Sequence, residues 1–379
     1  MRIAIVISSL PQLTTNQLVG LSVAEELERR GHYVDLYCIG RVTREQLIAT
    51  FQKPLKSRIF SRRWLWDPGS TIYDNPILAA LMGGYRGYDL VFEAIGPVVH
   101  LSRSRTPGFT YVFFPPDPDL MGDREIRSFF WRIYSAPYRI FYKMFSDNVR
   151  STRILSISQY IADLCKKAWG VESEVVYFPV PISQWKPTSN STRDGVISIG
   201  RFSSEKNQLE QVNIAEALQS AGVSSPVRVI GAVASSLNHR LYLDLRKQAE
   251  KRRIANILFY PNLPRKRIIS MAHSSKVFLH TMKNEHFGIA TVEAIAAGCI
   301  PIVHDSGGTR EIVPISALRF RTEHEATGKI MLALEGEFDR YLPQLRRHIS
   351  MFSEESFKER LTKIILGDGE GKQEVTSRI

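Results

Sequence analysis

Short runs rich in Val and Ile alternate with longer segments of helical period along this chain, and the alternation starts afresh after a polar stretch near the middle. Strands that read as continuous apolar runs must be covered on both faces. Helix-length crossovers between them require parallel pairing, so the pattern predicts doubly wound α/β architecture. IAIVIS at 3–8 reads as strand, QLVGLSVAEELERRG at 17–31 as an amphipathic helix closed by Gly31, and YVDLYCI at 33–39 as the next strand. DLVFEAI at 89–95, TYVFF at 110–114 and RILSIS at 153–158 continue the series, the last feeding a helix over QYIADLCKKAWG.

KPTSNSTRDG at 186–195 has turn formers and no apolar period, so it reads as a linker. The second series begins just beyond it, with VISIG at 196–200, a helix over 207–222, PVRVIG at 226–231, and then ANILFY, KVFLHT and CIPIVH. A length of 379 residues also exceeds what one core usually organises. The expectation is an α/β chain of two Rossmann-like domains facing across a cleft. The first spans 1–185, the second 195–352, and a C-terminal helix at about 353–366 can pack back on the first.

Composition excludes several classes. Hydrophobic residues at 44% and charged residues at 23% argue against a disordered or collagen-like chain. Cys38, Cys165 and Cys299 are too far apart for a Cys-x-x-Cys zinc or redox pair and read as buried thiols. The first residues resemble a strand rather than a secretory signal, and no apolar run approaches the ~20 residues of a membrane span, so a cytoplasmic location is expected. The formal net charge of +12 points to anionic partners.

The most informative block runs from Asn284 to Val313, NEHFGIATVEAIAAGCIPIVHDSGGTREIV. Seven residues separate Glu285 from Glu293, with Gly288 between them where a strand and loop hand over to a helix. A helix start offers free N–H groups to a diphosphate, and Gly288 permits close approach to the backbone. Glu293 can turn a carboxylate toward a ribose diol, and Glu285 can accept from sugar hydroxyls. A second block, GRFSSEKN, places Gly200, Arg201 and Lys206 at the carboxyl end of a strand, where two cations can stabilise charge accumulating on a leaving phosphate.

With HFG at 286–288, the AAG-x-x-P turn at 296–301 and SGG at 306–308, these blocks resemble glycosyltransferase family 4, a retaining family of GT-B fold. With YVFFPPDPDLM in the first half, the chain is most similar to the α-1,2-mannosyltransferases that extend lipid-linked oligosaccharides from GDP-mannose. The resemblance implies Arg201 and Lys206 on the diphosphate and Glu293 on the ribose. It implies Glu285 with the backbone of Phe287 and Gly288 on the transferred sugar, with Gly200, His286 and Ile289 completing the donor site. It implies no metal and no cofactor. The partners would be a nucleotide sugar and a lipid-linked or glycan acceptor, with no nucleic acid. Phe113 stands where mannosyltransferase-like relatives tend to have His, and Asp117 joins it as a candidate on the acceptor side. A UDP-sugar donor for glucosyl or N-acetylglucosaminyl transfer, or a catalytically silent nucleotide-sugar-binding protein, is the alternative.

Asp117-Pro118-Asp119 imitates a metal-binding Asp-x-Asp, yet lies in the half away from the expected donor site. His280, His286 and His304 lack metal-ligand spacing and read as loop or core histidines, and Asp35 imitates the ribose acid of a dinucleotide site without its glycine fingerprint. The segment from Arg41 to Trp66 interleaves cations with aromatics. Arg62, Arg63, Trp64 and Trp66 are the candidates for peripheral docking on an anionic membrane surface.

Overall fold

The computed structural model describes residues 1–7, 15–39, 43–51, 55–62, 87–94, 106–114, 152–187 and 192–367. Two compact units emerge, one formed by Met1–Pro179 with Glu354–Ile379 and the other by Val180–Ser353.

The first unit is built on a parallel sheet of β1 (Arg2–Ile7), β2 (Tyr33–Ile39), β3 (Arg58–Arg62), β4 (Leu90–Ala94), β5 (Gly108–Val112), β6 (Arg153–Ser156) and β7 (Glu174–Val175). Their order is β3-β2-β1-β4-β5-β6-β7. All five residues of β4 are buried, which is why its sequence does not alternate, and its one polar member, Glu93, accepts from Thr110 Oγ1 at 3.1 Å. The helix Gln159–Trp169 shows how local chemistry sets a boundary. The Ser158 hydroxyl accepts from the Ile161 N–H at 3.2 Å at one end, and Gly170 closes the other at φ 65°. The helix Glu354–Leu366 belongs to this unit, where Lys358 bonds Glu25 of the helix Thr15–Arg29 at 2.7 Å.

The second unit carries β8 (Val196–Arg201), β9 (Val227–Ala232), β10 (Ile257–Pro261), β11 (Val277–His280), β12 (Ile300–His304) and β13 (Arg319–Phe320) in the order β10-β9-β8-β11-β12-β13. All of their pairings are parallel. This unit begins at Val180, upstream of the polar 186–195 stretch that composition marks as the linker. The reason is Trp185, which is 2% exposed and buries a large indole within this unit.

Phe113 follows β5 as a buried ring set edge-on to Tyr111 at 5.2 Å. Part of the proposed docking segment proves to be sheet. Arg58 opens β3 and bonds Asp35, and Phe60 stacks on Tyr37 at 5.0 Å, so these two residues serve the fold. Arg62 closes β3, whereas Arg63, Trp64, Trp66 and Asp117 lie outside the described residues. Among the described residues no helix is long and apolar enough to cross a membrane. All three cysteines are buried and unpaired, and burial pushes the Cys299 thiol up to about 12.

Candidate functional site

A doubly wound sheet opens a crevice where strand succession reverses, because loops leaving the two strands there run to opposite faces. In the second unit that point lies between β8 and β11, paired at Val277 with Val196 and Phe278 with Ile197. Gly200 and Arg201 end β8 and lead into a single turn, Ser204–Lys206; His280 ends β11 and leads to Glu285. The two expected chemical blocks therefore leave neighbouring strand ends.

They meet in an ion pair. Lys206 Nζ donates to Glu285 Oε2 at 2.5 Å and to Met282 Sδ at 3.1 Å, with both charged side chains largely withdrawn from water. His280 Nε2 lies 3.2 Å from the same carboxylate oxygen without forming a well-directed hydrogen bond. Burial alone would raise the Glu285 pKa. The proximity of His280 and the Lys206 charge outweigh it and hold the carboxyl well below its usual range, so Glu285 is an anion at neutral pH. The turn carrying Lys206 is itself fixed: Thr281 Oγ1 donates to the Lys206 carbonyl at 2.9 Å and accepts from Gln211 Nε2 at 2.9 Å.

The loop carrying Glu285 is clamped from behind by the SGG segment. Gly308 N donates to the Glu285 carbonyl at 2.7 Å, and Ser306 Oγ accepts from Asn284 N at 2.8 Å. A side chain at either glycine would collide with this backbone. A Cβ on Gly307 would sit 2.5 Å from the Glu285 carbonyl oxygen, and one on Gly308 would sit 2.5 Å from that of His286. Gly288 then takes φ 109° and starts the helix Ile289–Ala297 with no side-chain cap; its carbonyl accepts from the Thr291 and Val292 N–H groups at 2.9 and 3.3 Å, so the N–H groups of Ile289 and Ala290 are the ones with no intrahelical acceptor. The Thr291 hydroxyl in that turn is buried and without a hydrogen-bond partner. Phe287 turns inward against Phe352 at 5.4 Å, and burial depresses the His286 pKa.

Glu293 lies farther along the same helix, 8% exposed, and Arg265 Nη2 approaches its Oε1 to 3.3 Å. Burial dominates its environment and pushes the carboxyl up to about 7 against the opposing pull of Arg265. The Arg265 guanidinium also lies over the Trp185 ring, 5.3 Å from its centroid. The Trp185 indole N–H faces this carboxylate yet completes no hydrogen bond.

Lys206, Glu285 and the Gly288 helix start are thus assembled at one strand-end crevice, and Glu293 belongs to the same helix. Arg201 departs from the expected convergence. Its guanidinium is 65% exposed and is engaged by Glu205 at 2.6 Å, four residues along, rather than by the Lys206 pair. His304 belongs with the supporting structure: its Nδ1 bonds Ser306 Oγ at 2.8 Å, and burial lowers its pKa. The sequence reading passed over His280 as a core histidine and gave Arg265 and Trp185 no role. Only the strand order brings those side chains to the two acids. No group of three or more His, Cys, Asp or Glu suited to a metal ion occurs among the described residues.

Residues 180–316 match the family model described as glycosyl transferases group 1. The chain is 25% identical over 260 residues to the GDP-Man:Man(3)GlcNAc(2)-PP-Dol alpha-1,2-mannosyltransferase of Dictyostelium discoideum, covering 60% of this chain and 50% of that one. It therefore spans about half the length of that relative. A glycosyltransferase from Rickettsia africae superposes with a TM-score of 0.68 at 15% identity, over 97% of this chain and 99% of its own. An Anabaena protein solved in complex with UDP and glucose superposes at 0.70 and 14% identity, with the same coverage of 97% and 99%. At these identities the likeness establishes the fold, which is GT-B.

Proposed function

We propose that this chain is a retaining hexosyltransferase, a reading supported by the match of residues 180–316 to glycosyl transferases group 1 and by the GT-B fold. In this reading it moves mannose from GDP-mannose to a lipid-linked or glycan acceptor without a metal. The observation that carries the reading is the Lys206–Glu285 pair beside an uncapped helix start, at the carboxyl ends of the switch-point strands. The mannosyl preference draws on the Dictyostelium relative, named for transfer from GDP-mannose.

The donor diphosphate lies across the Gly288 helix start and draws Lys206 toward its outer phosphate. There the fixed ammonium stabilises the transition state more than the ground state, because negative charge grows on that phosphate as the glycosidic bond breaks. Arg201 swings from Glu205 to the same phosphate and adds a planar fork. Glu285, relieved of part of its partner's charge, accepts from the sugar hydroxyls beside the Phe287 and Gly288 backbone, and Glu293 accepts from the ribose diol. The anomeric carbon parts from the phosphate oxygen while the acceptor oxygen bonds on the same face. The acceptor proton passes to the departing phosphate, so this front-side route needs no protein base. A polyprenyl-linked acceptor would make attachment of the segment around Arg62, Arg63, Trp64 and Trp66 to the cytoplasmic membrane face useful.

Purified chain assayed with GDP-mannose, UDP-glucose and UDP-N-acetylglucosamine, with and without a polyprenyl-linked acceptor, tests the reading. Transfer from GDP-mannose with retention is expected. Preferred use of a UDP-sugar would replace the donor, which is the alternative that the Anabaena complex favours. Nucleotide binding without transfer or hydrolysis for any acceptor would leave a silent binding protein instead.

A further inference from the structure

We infer that Arg265 is the residue that selects the donor base, and that it selects guanine over uracil. The inference rests on the reading that Glu293 holds the ribose diol. A nucleotide laid with its diphosphate at Gly288 and its ribose at Glu293 brings its base close to that carboxylate. The base is carried on the sugar carbon next to the one bearing the 2′-hydroxyl, so it comes to rest beside whatever flanks that carboxylate. The flanking group is the Arg265 guanidinium, 3.3 Å from Oε1.

One further feature makes this a base subsite rather than an incidental ion pair. Arg265 is held from behind by the Trp185 ring, 5.3 Å from centroid to guanidinium carbon, while half of its side chain stays exposed. Its plane is therefore braced on one side and open on the other. Trp185 itself is 2% exposed, so the brace is part of the packed structure and does not move with a ligand.

Guanine presents N7 and O6 side by side, which match two N–H groups of one guanidinium, whereas uracil offers no such adjacent pair of acceptors. When ribose hydroxyls take over the Glu293 carboxylate, the Arg265 fork is released toward the base, so sugar and base recognition reinforce each other through one ion pair.

Equilibrium binding of GDP and of UDP to the full chain, to Arg265→Ala and to Arg265→Lys tests this. The unaltered chain is expected to prefer GDP. Both variants should lose about tenfold or more of that preference while keeping UDP affinity within about threefold. Arg265→Lys keeps the positive charge and loses only the fork, and the UDP arm reports any general damage to the site. An equal loss of both nucleotides in the variants, or an unchanged preference, overturns the inference. A wild-type chain that prefers UDP overturns it as well and leaves the diphosphate site standing. A wild-type chain that takes neither nucleotide overturns the underlying reading, and this inference falls with it.

Discussion

Asp35 in the first unit and Glu285 in the second are both buried among positive side chains, but at opposite ends of their sheets. In the first, Asp35 sits near the start of β2, and its neighbours come from the starts of adjacent strands. Arg58 binds both oxygens at 3.0 and 3.1 Å, Tyr88 donates at 2.7 Å and Arg2 at 3.3 Å. Both oxygens are engaged by groups in or just before the strand starts. In the second, Glu285 lies beyond the end of β11, where Lys206 from a loop after β8 and His280 flank Oε2 and the backbone N–H of His286 donates to Oε1 at 3.1 Å. The first arrangement staples strands together, whereas the second joins two loops and, in the proposed function, exchanges its charges with a donor. Strand-starting ends of such sheets carry structure and strand-finishing ends carry ligands, which accounts for the difference.

The sharpest way to break this comparison is to remove one charge from each. Lys206→Ala should lower transfer per folded molecule by about 10²- to 10³-fold, the range for losing one preorganised group that stabilises transition-state charge. Asp35→Asn should leave transfer within about twofold and lower the melting temperature by a few degrees, since it weakens a satisfied bidentate pair. Steady-state turnover and thermal melts on both variants give the four numbers needed. Unchanged turnover in Lys206→Ala would remove the leaving-group role, and a large turnover loss in Asp35→Asn would erase the distinction between the two clusters.

The two acids of the second unit also differ from each other, and pH exposes the difference. Glu285 and Asp35 are held below their ordinary values, so their contributions are present above the unfolded value and lost as pH falls through the folded one. Glu293 runs the other way. With its carboxyl raised from 4.5 to about 7, the folded chain keeps a proton that the unfolded chain has already released. Its contribution is full below about 4.5 and gone above about 7, a swing of a few kcal/mol at most. Glu293→Gln should therefore flatten the dependence of melting temperature on pH between about 5 and 8 and raise stability at the alkaline end. A slope identical to wild type would show that another group titrates there.

The two units also differed in how much their sequences disclosed. The β2 strand at 33–39 and the helix opening at Gln159 were legible because apolar runs, Ser158 and Gly170 are local signals. The Glu285, Gly288 and SGG block was legible for the same reason, since backbone crowding demands glycine at 307 and 308 wherever that loop packs on this one. Arg265 and Trp185 were not legible. Nothing near them in sequence refers to Glu293, and they reach it only through the order β10-β9-β8-β11 and an early start to the second unit. Polar composition at 186–195 suggested a boundary, but Trp185 had already committed its indole to the second core. Cations interleaved with aromatics suggested a docking face, yet Arg58 and Phe60 proved to be strand residues, because that mixture suits a sheet edge as well as a membrane.

Arg201 provides the finest test, because it belongs to the ligand-facing end of the second sheet but rests there as a surface ion pair. Its bond to Glu205 spans four residues and is exposed on both sides, so breaking it costs the unliganded chain about 0.5 kcal/mol or less. If Arg201 turns to the diphosphate only when donor arrives, Arg201→Ala should melt like wild type without nucleotide. It should also lose part of the stabilisation that saturating GDP confers and turn over about tenfold more slowly. Glu205→Ala, which frees the guanidinium in advance, should leave turnover intact or raise it. Should Arg201→Ala instead match wild type in both nucleotide stabilisation and turnover, Lys206 and the helix start would carry the leaving phosphate between them, and the exposed pair at 201 and 205 would belong with the surface.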